Sequence, residues 1–159
     1  MGTRCEIHVR NEESHVELWK HWDGYPENMM PLLKEFATWV REKVEDQVHW
    51  LLYPEDVSAY LIAFDYEKVK EMREKHGLRI PPKPDIRPRG IINDLKYVYV
   101  IDLGKTWTVK CYECKRFELT ERERRLIRAR REDEVKSLVK VCEEKIPVVE
   151  GKMPAVMID

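Results

Sequence analysis

Amides are nearly missing from this chain, which has one glutamine (Gln47) and three asparagines (Asn11, Asn28, Asn93) among 159 residues. Few thermolabile residues beside 37% charged ones, against an ordinary level of about a quarter, predict a hyperthermophile source. A well-solvated mesophilic surface is the alternative. Long apolar runs are missing too. None reaches the roughly 20 residues of a membrane helix. The opening Met1–Glu6 shows no signal-peptide core, and Glu6 stands where N-myristoylation wants Ser or Thr. Cysteines are few (Cys5, Cys111, Cys114, Cys142), too few for a disulfide scaffold. These absences predict a cytoplasmic protein with mostly reduced thiols and no membrane partner. An intracellular disulfide stays open if the source is hyperthermophilic. An excess of either charge is absent as well: 29 basic residues face 30 acidic ones. A global field for nucleic acid is excluded, so any such binding needs a local patch. There is no phosphate-binding glycine loop, no G-x-S-x-G, no H-E-x-x-H, no internal repeat and no low-complexity stretch. No cofactor is expected.

What is present suits one folded domain, 1–159, with 43% hydrophobic residues to bury. Residues 4–10 alternate: Cys5, Ile7 and Val9 face one way, and Arg4, Glu6, His8 and Arg10 the other. Residues 15–22 alternate again after the polar Asn11–Ser14 loop. A four-residue loop pairs Val9 with Val16 and Ile7 with Leu18. It sets His8 across from Glu17, and Arg4 across from His21. Gly24 and Pro26 stop the strand. From Asn28, a plausible N-cap, Met29, Leu32, Leu33, Phe36, Trp39, Val40 and Val44 follow helical spacing, with Pro31 in the first turn. A second helix follows Pro54, with Glu55 and Asp56 in its first turn and His76-Gly77 as its stop. A proline-rich connector, 79–90, comes next; its prolines forbid helix and central strand.

Residues 96–102 and 106–112 read as strands joined at Gly104-Lys105 by a type II′ turn. That turn pairs Val100 with Val109, Val98 with Cys111, and Tyr97 with Tyr112. Thr120 and Glu123 match a capping box opening a charged helix to about Glu144, with i,i+4 pairs Glu121–Arg125, Arg128–Glu132 and Glu132–Lys136. A C-terminal arm, 146–159, ends the chain. The element order is ββααββα. It predicts an α+β fold with an antiparallel sheet of at least four strands, built from two hairpins, and helices on one face.

Met1-Gly2-Thr3-Arg4, His21-Trp22-Asp23-Gly24-Tyr25-Pro26-Glu27 and Leu95–Asp102 together resemble a loose group of small prokaryotic, archaeal and phage-encoded proteins. Those proteins also begin Met-Gly-Thr-Arg and carry Trp-Asp-Gly-Tyr-Pro after a short hairpin. The resemblance spans roughly the first two thirds of the chain. Glu27-Asn28-Met29 follows the proline here, where a Glu-Gly pair is commoner in the group. The resemblance implies a shared fold and no activity.

Three constellations carry chemistry. His21 and Asp23 could move protons or bind metal, flanked by Trp22 and Tyr25. The competing reading is architectural: Asp23-Gly24 supplies a turn, Trp22 packs, and Tyr25-Pro26 sets the helix entry. Cys111 and Cys114 form a C-x-x-C pair, half of a zinc site or a redox pair. On a regular strand they face opposite sides, which disfavours chelation. The cluster Arg122–Arg131, with Arg124, Arg128 and Arg131 as binding candidates, offers a basic face, although interleaved acids favour a solvated helix. The lead reading is a non-enzymatic binding protein with a protein or nucleic-acid partner. The rivals are a small metal-dependent hydrolase or nuclease at His21/Asp23, and a zinc-stabilised module on Cys111 and Cys114. A homodimer stays open.

Overall fold

The computed structural model describes residues 2–79 and 81–148. The chain runs β1 (Arg4–Arg10), β2 (His15–Lys20), α1 (Pro26–Val44), a 3-10 turn (Val48–Leu52), α2 (Pro54–Lys75), β3 (Ile86–Pro88), β4 (Leu95–Asp102), β5 (Thr106–Cys114), α3 (Glu121–Arg128), a 3-10 turn (Glu132–Glu134) and β6 (Leu138–Pro147). The α+β class holds. Six strands form one sheet in the order β3-β2-β1-β4-β5-β6. It is mixed rather than antiparallel, because β1 and β4 at its centre pair in parallel. Each hairpin is antiparallel by itself, and the two helices between them bring the second back alongside the first in the same direction.

The first hairpin has the expected register: Val9 opposes Val16, Ile7 opposes Leu18, and His8 opposes Glu17. The second is shifted by one residue. Ile101 opposes Val109, Tyr99 opposes Cys111 and Val98 opposes Tyr112. Tyr97 therefore meets Glu113, not Tyr112. The two-residue turn does not form, since the Leu103 N–H bonds the Arg10 carbonyl of β1 at 3.0 Å. A one-residue slip exchanges the faces of a strand. Here it places Tyr99, Ile101, Val109 and Cys111 in one apolar cluster, and Val98, Val100 and Tyr112 in another.

Those clusters lie on opposite faces, and helices cover both. Met29, Leu33, Phe36 and Val40 of α1 join Val57, Leu61 and Phe64 of α2 over the first face. Ile127 of α3 packs on the second, with Leu119 and Val135. The expected one-sided layer is thus corrected: β4 is apolar on both faces and needs two covers. Helix α1 starts at Pro26, and Asn28 does not cap it. Its side-chain amide instead donates to the Asp23 carbonyl at 2.7 Å.

The charged helix also ends early. Thr120 and Glu123 do form the capping box. At the other end Arg130 adopts φ 61°, and the Arg131 and Arg130 N–H groups close back on Leu126 and Ile127. This Schellman geometry terminates α3 at Arg128. Arg128–Glu132 and Glu132–Lys136 are therefore not helix pairs. Leu138, Val139, Val141 and Ile146, whose spacing fits either period, belong to β6 along β5. The proline-rich connector contributes β3, which pairs with β2 at the sheet border as prolines allow. Strand β6 is the opposite border among the described residues. It carries a register shift beside Cys111/Tyr112 and exposes Lys140, Glu143 and Lys145. Of the C-terminal arm, residues 149–159 lie outside the described residues. No helix among those described is long and apolar enough to cross a membrane.

Candidate functional site

The corner after β2 distributes its residues among different surroundings. Asp23 takes φ 54°, a left-handed conformation that Asp tolerates better than most residues. Gly24 then runs against β1, its N–H donating to the Thr3 carbonyl at 2.7 Å. Its own carbonyl accepts from the buried Tyr99 hydroxyl at 2.7 Å. Trp22 is 52% exposed. Tyr25 lines a separate hollow with Thr3, Lys96, Tyr97 and Phe117. His21 and Asp23 do not join any group of three metal-capable side chains among the described residues. His21 Nδ1 instead accepts from Arg4 Nε at 3.2 Å.

His21 and Trp22 line a hollow of about 340 Å³ with Arg73 of α2 and Lys83, Asp85 and Arg87 of the connector. Two segments distant in sequence, the corner and the proline-rich connector, or proline-rich arm, therefore meet in space. The arm is held by Asp65 of α2, whose carboxylate accepts from the Asp85 and Ile86 N–H groups. Asp85 is engaged in turn by Lys20 Nζ at 2.7 Å and the Trp22 N–H at 3.1 Å. That leaves Arg73, Lys83 and Arg87 as the charge lining the hollow. The Arg87 guanidinium lies 4.9 Å from the Trp19 ring, and its Nε is buried with no hydrogen-bond partner. Rings continue the row: Trp19 to His21 at 5.9 Å, and His21 to Trp22 at 4.5 Å, each edge-on. An exposed aromatic face beside three cations can hold a planar anion.

A second assembly fills the sheet face beneath α3. Glu6, His8 and Arg10 of β1 are all buried there. The Arg124 guanidinium of α3 reaches both Glu6 oxygens, at 2.7 and 3.3 Å. Glu17 accepts from Arg89 at 2.7 Å and from Arg128 at 3.2 Å. Arg10 bridges Asp102 and Glu132. His8 Nδ1 and His15 Nε2 stand 2.8 Å apart. His8 Nε2 and His15 Nδ1 are buried with no partner, the former 3.5 Å from a Glu6 oxygen. Burial raises the Glu6 and Glu17 carboxyls. His8 and Arg124 at Glu6, and Arg89 and His8 at Glu17, outweigh that and hold both below the ordinary range. Burial, reinforced by His8, pushes His15 down to about 4.

The arginine helix is thus tied into the sheet more than solvated: Arg124 is buried, Arg128 reaches Glu17, and Arg131 pairs with Glu134 at the surface. Cys111 and Cys114 are free thiols in the two different apolar clusters. Cys111 lies across from Cys142, and burial drives its thiol up to about 12. Sequence reading missed the ionic layer. Its signal was there: Arg124 and Arg128 lie one turn apart and match acids on adjacent strands.

Comparisons of the chain with protein-family models, with curated proteins and with solved structures give no match.

Proposed function

We propose that the protein binds single-stranded nucleic acid at the hollow between the His21–Trp22 corner and the proline-rich arm. One observation carries the reading: an exposed Trp22 ends a row of rings beside Arg73, Lys83 and Arg87. Sequence-tolerant binding of single strands combines these two elements, a stacking platform and a cationic track. The hollow favours this over hydrolysis at His21/Asp23. Its one carboxylate, Asp85, is already committed to Lys20 and the Trp22 N–H. Proteins that share the Trp-Asp-Gly-Tyr-Pro string would carry the same corner. The high-temperature reading stays a proposal too, supported by the ion-pair layer under α3.

An oligonucleotide of about 12 bases, titrated against tryptophan fluorescence, tests the reading. Binding should weaken with salt at a slope of about −2, or about −0.7 for each of three phosphates. Trp22→Ala should lower affinity about 5- to 150-fold. Lys83→Gln should flatten the slope by about 0.7. Binding untouched by Trp22→Ala would overturn the assignment. Tighter binding of an acidic peptide would point to a protein partner instead.

A further inference from the structure

We infer that His8, His15 and Glu17 form a binding site for a divalent transition-metal ion of the zinc class, away from the nucleic-acid hollow. The donors come from two adjacent strands whose register is fixed. Arg10 opposes His15 and His8 opposes Glu17, so the two imidazoles meet diagonally on one face. The ligand atoms are His8 Nδ1, His15 Nε2 and a Glu17 oxygen, all within 4.8 Å of one another. Two of the separations are 2.8 Å between the ring nitrogens and 3.9 Å from His15 Nε2 to Glu17 Oε1. Ligands at zinc-like bond lengths in a tetrahedron lie about 3.3 Å apart, which these values bracket.

Without an ion, a single proton must sit between the facing nitrogens, since two bare lone pairs at 2.8 Å repel. An ion takes both lone pairs at once. The outer nitrogen of His8 then carries its proton towards Glu6 Oε1, 3.5 Å away. A carboxylate behind a ligating imidazole fixes its tautomer and raises its basicity. Glu6 is itself held by Arg124 from α3, so the outer support is rigid. Two imidazoles and one carboxylate suit Zn²⁺ and its Co²⁺ and Ni²⁺ neighbours better than Mg²⁺ or Ca²⁺.

Glu17 has prior commitments that shape the site. Its Oε2 accepts from Arg89, and its Oε1 from Arg128 at 3.2 Å. Arg128 is 55% exposed at the side chain and holds Oε1 by a longer bond than Arg89 holds Oε2, so Oε1 is the oxygen given to the ion. The ion would then sit below a guanidinium, with its fourth position facing Arg128. A water or small anion fits there, held by metal and arginine together.

The test uses full-length protein purified without an affinity tag and titrated with Co²⁺ and Zn²⁺. Co²⁺ should give the visible d–d band of a four-coordinate nitrogen-and-oxygen site, saturating at one ion per chain. Zn²⁺ should abolish that band. His15→Gln and Glu17→Gln should each weaken Zn²⁺ binding by about 100-fold or more, whereas Glu6→Gln should weaken it about 10- to 100-fold. The band on unaltered protein needs no variant, so a substitution that fails to fold leaves the test standing. Absence of the band, or Zn²⁺ affinity unchanged in a folded His15→Gln protein, overturns the inference.

Discussion

Arg10→Met should lower folding stability by about 3–5 kcal/mol at neutral pH, read from the denaturant midpoint at constant slope. Arg10 lies on the central strand β1 and is 2% exposed. Its Nε donates to Asp102 at 2.5 Å, and its two Nη atoms donate to Glu132 at 2.9 and 2.7 Å. One Nη also donates to the Ile127 carbonyl at 2.6 Å, satisfying the end of α3. Removing the cation strips the buried Glu132 carboxylate of its two-pronged partner and leaves Asp102 only the exposed Arg130, at 3.2 Å. Lys110, 3.6 Å from Glu132 and 3.9 Å from Asp102, is too distant to replace it. The pH dependence gives the mechanism a second readout. Burial raises the Glu132 carboxyl, and the Arg10 hydrogen bonds outweigh it, so the folded value falls below the ordinary 4.5. A depressed folded value adds stability above about pH 4.5, and that stability is lost as pH falls through the folded value. In the variant the Glu132 carboxyl loses its cation while its burial remains, so it is raised. The penalty should therefore shrink below about pH 4.5, where protonation relieves the stranded charge. A loss under about 1 kcal/mol at pH 7 would mean that the network behaves like a surface pair.

Gly24→Ala should cost about 3 kcal/mol, the upper range for forcing a methyl into packed structure. Its Cβ would stand 2.8 Å from both Cys5 Cβ and the Thr3 carbonyl oxygen, and 3.0 Å from the Cys5 amide nitrogen. Two of these three are backbone atoms of the adjoining segment, so no flexible side chain can yield. Relief would require the corner to retreat, lengthening the Gly24-to-Thr3 and Tyr99-to-Gly24 hydrogen bonds. Asp23→Gly is the control. It adds no atoms at a left-handed position and should stay within about 0.5 kcal/mol of the parent. Equal melting of the two variants would show that Gly24 is a turn preference, with no role as a contact. The corner would then lose its architectural explanation.

The first hairpin was legible because its loop is closed locally. Asn11 Oδ1 accepts from the Glu13 and Ser14 N–H groups, and that local geometry sets the register. The second hairpin departs from its expected register by one residue because Leu103 answers to β1, a neighbouring strand from the far end of the sequence. Alternation in residues 4–10 correctly separated Cys5, Ile7 and Val9 from Glu6, His8 and Arg10. Periodicity names two faces without saying which is covered. Nothing local announces that Arg124, 118 residues further on, closes over Glu6. The same remoteness hid the hollow. His21–Trp22 and Lys83–Arg87 were each visible as segments, and Asp65 on α2 is what joins them.

The two outer margins of the sheet differ from its interior in a way that bears on life at high concentration. Among the described residues, β3 is three residues long and ends in Pro88, while β6 shifts register beside Cys142 and exposes Lys140, Glu143 and Lys145 around Val139 and Val141. Neither presents a flat, uncharged template onto which another chain could zip. Molecules that collide sideways should separate again, so the protein should remain dispersed under crowding and heat instead of growing into fibrils.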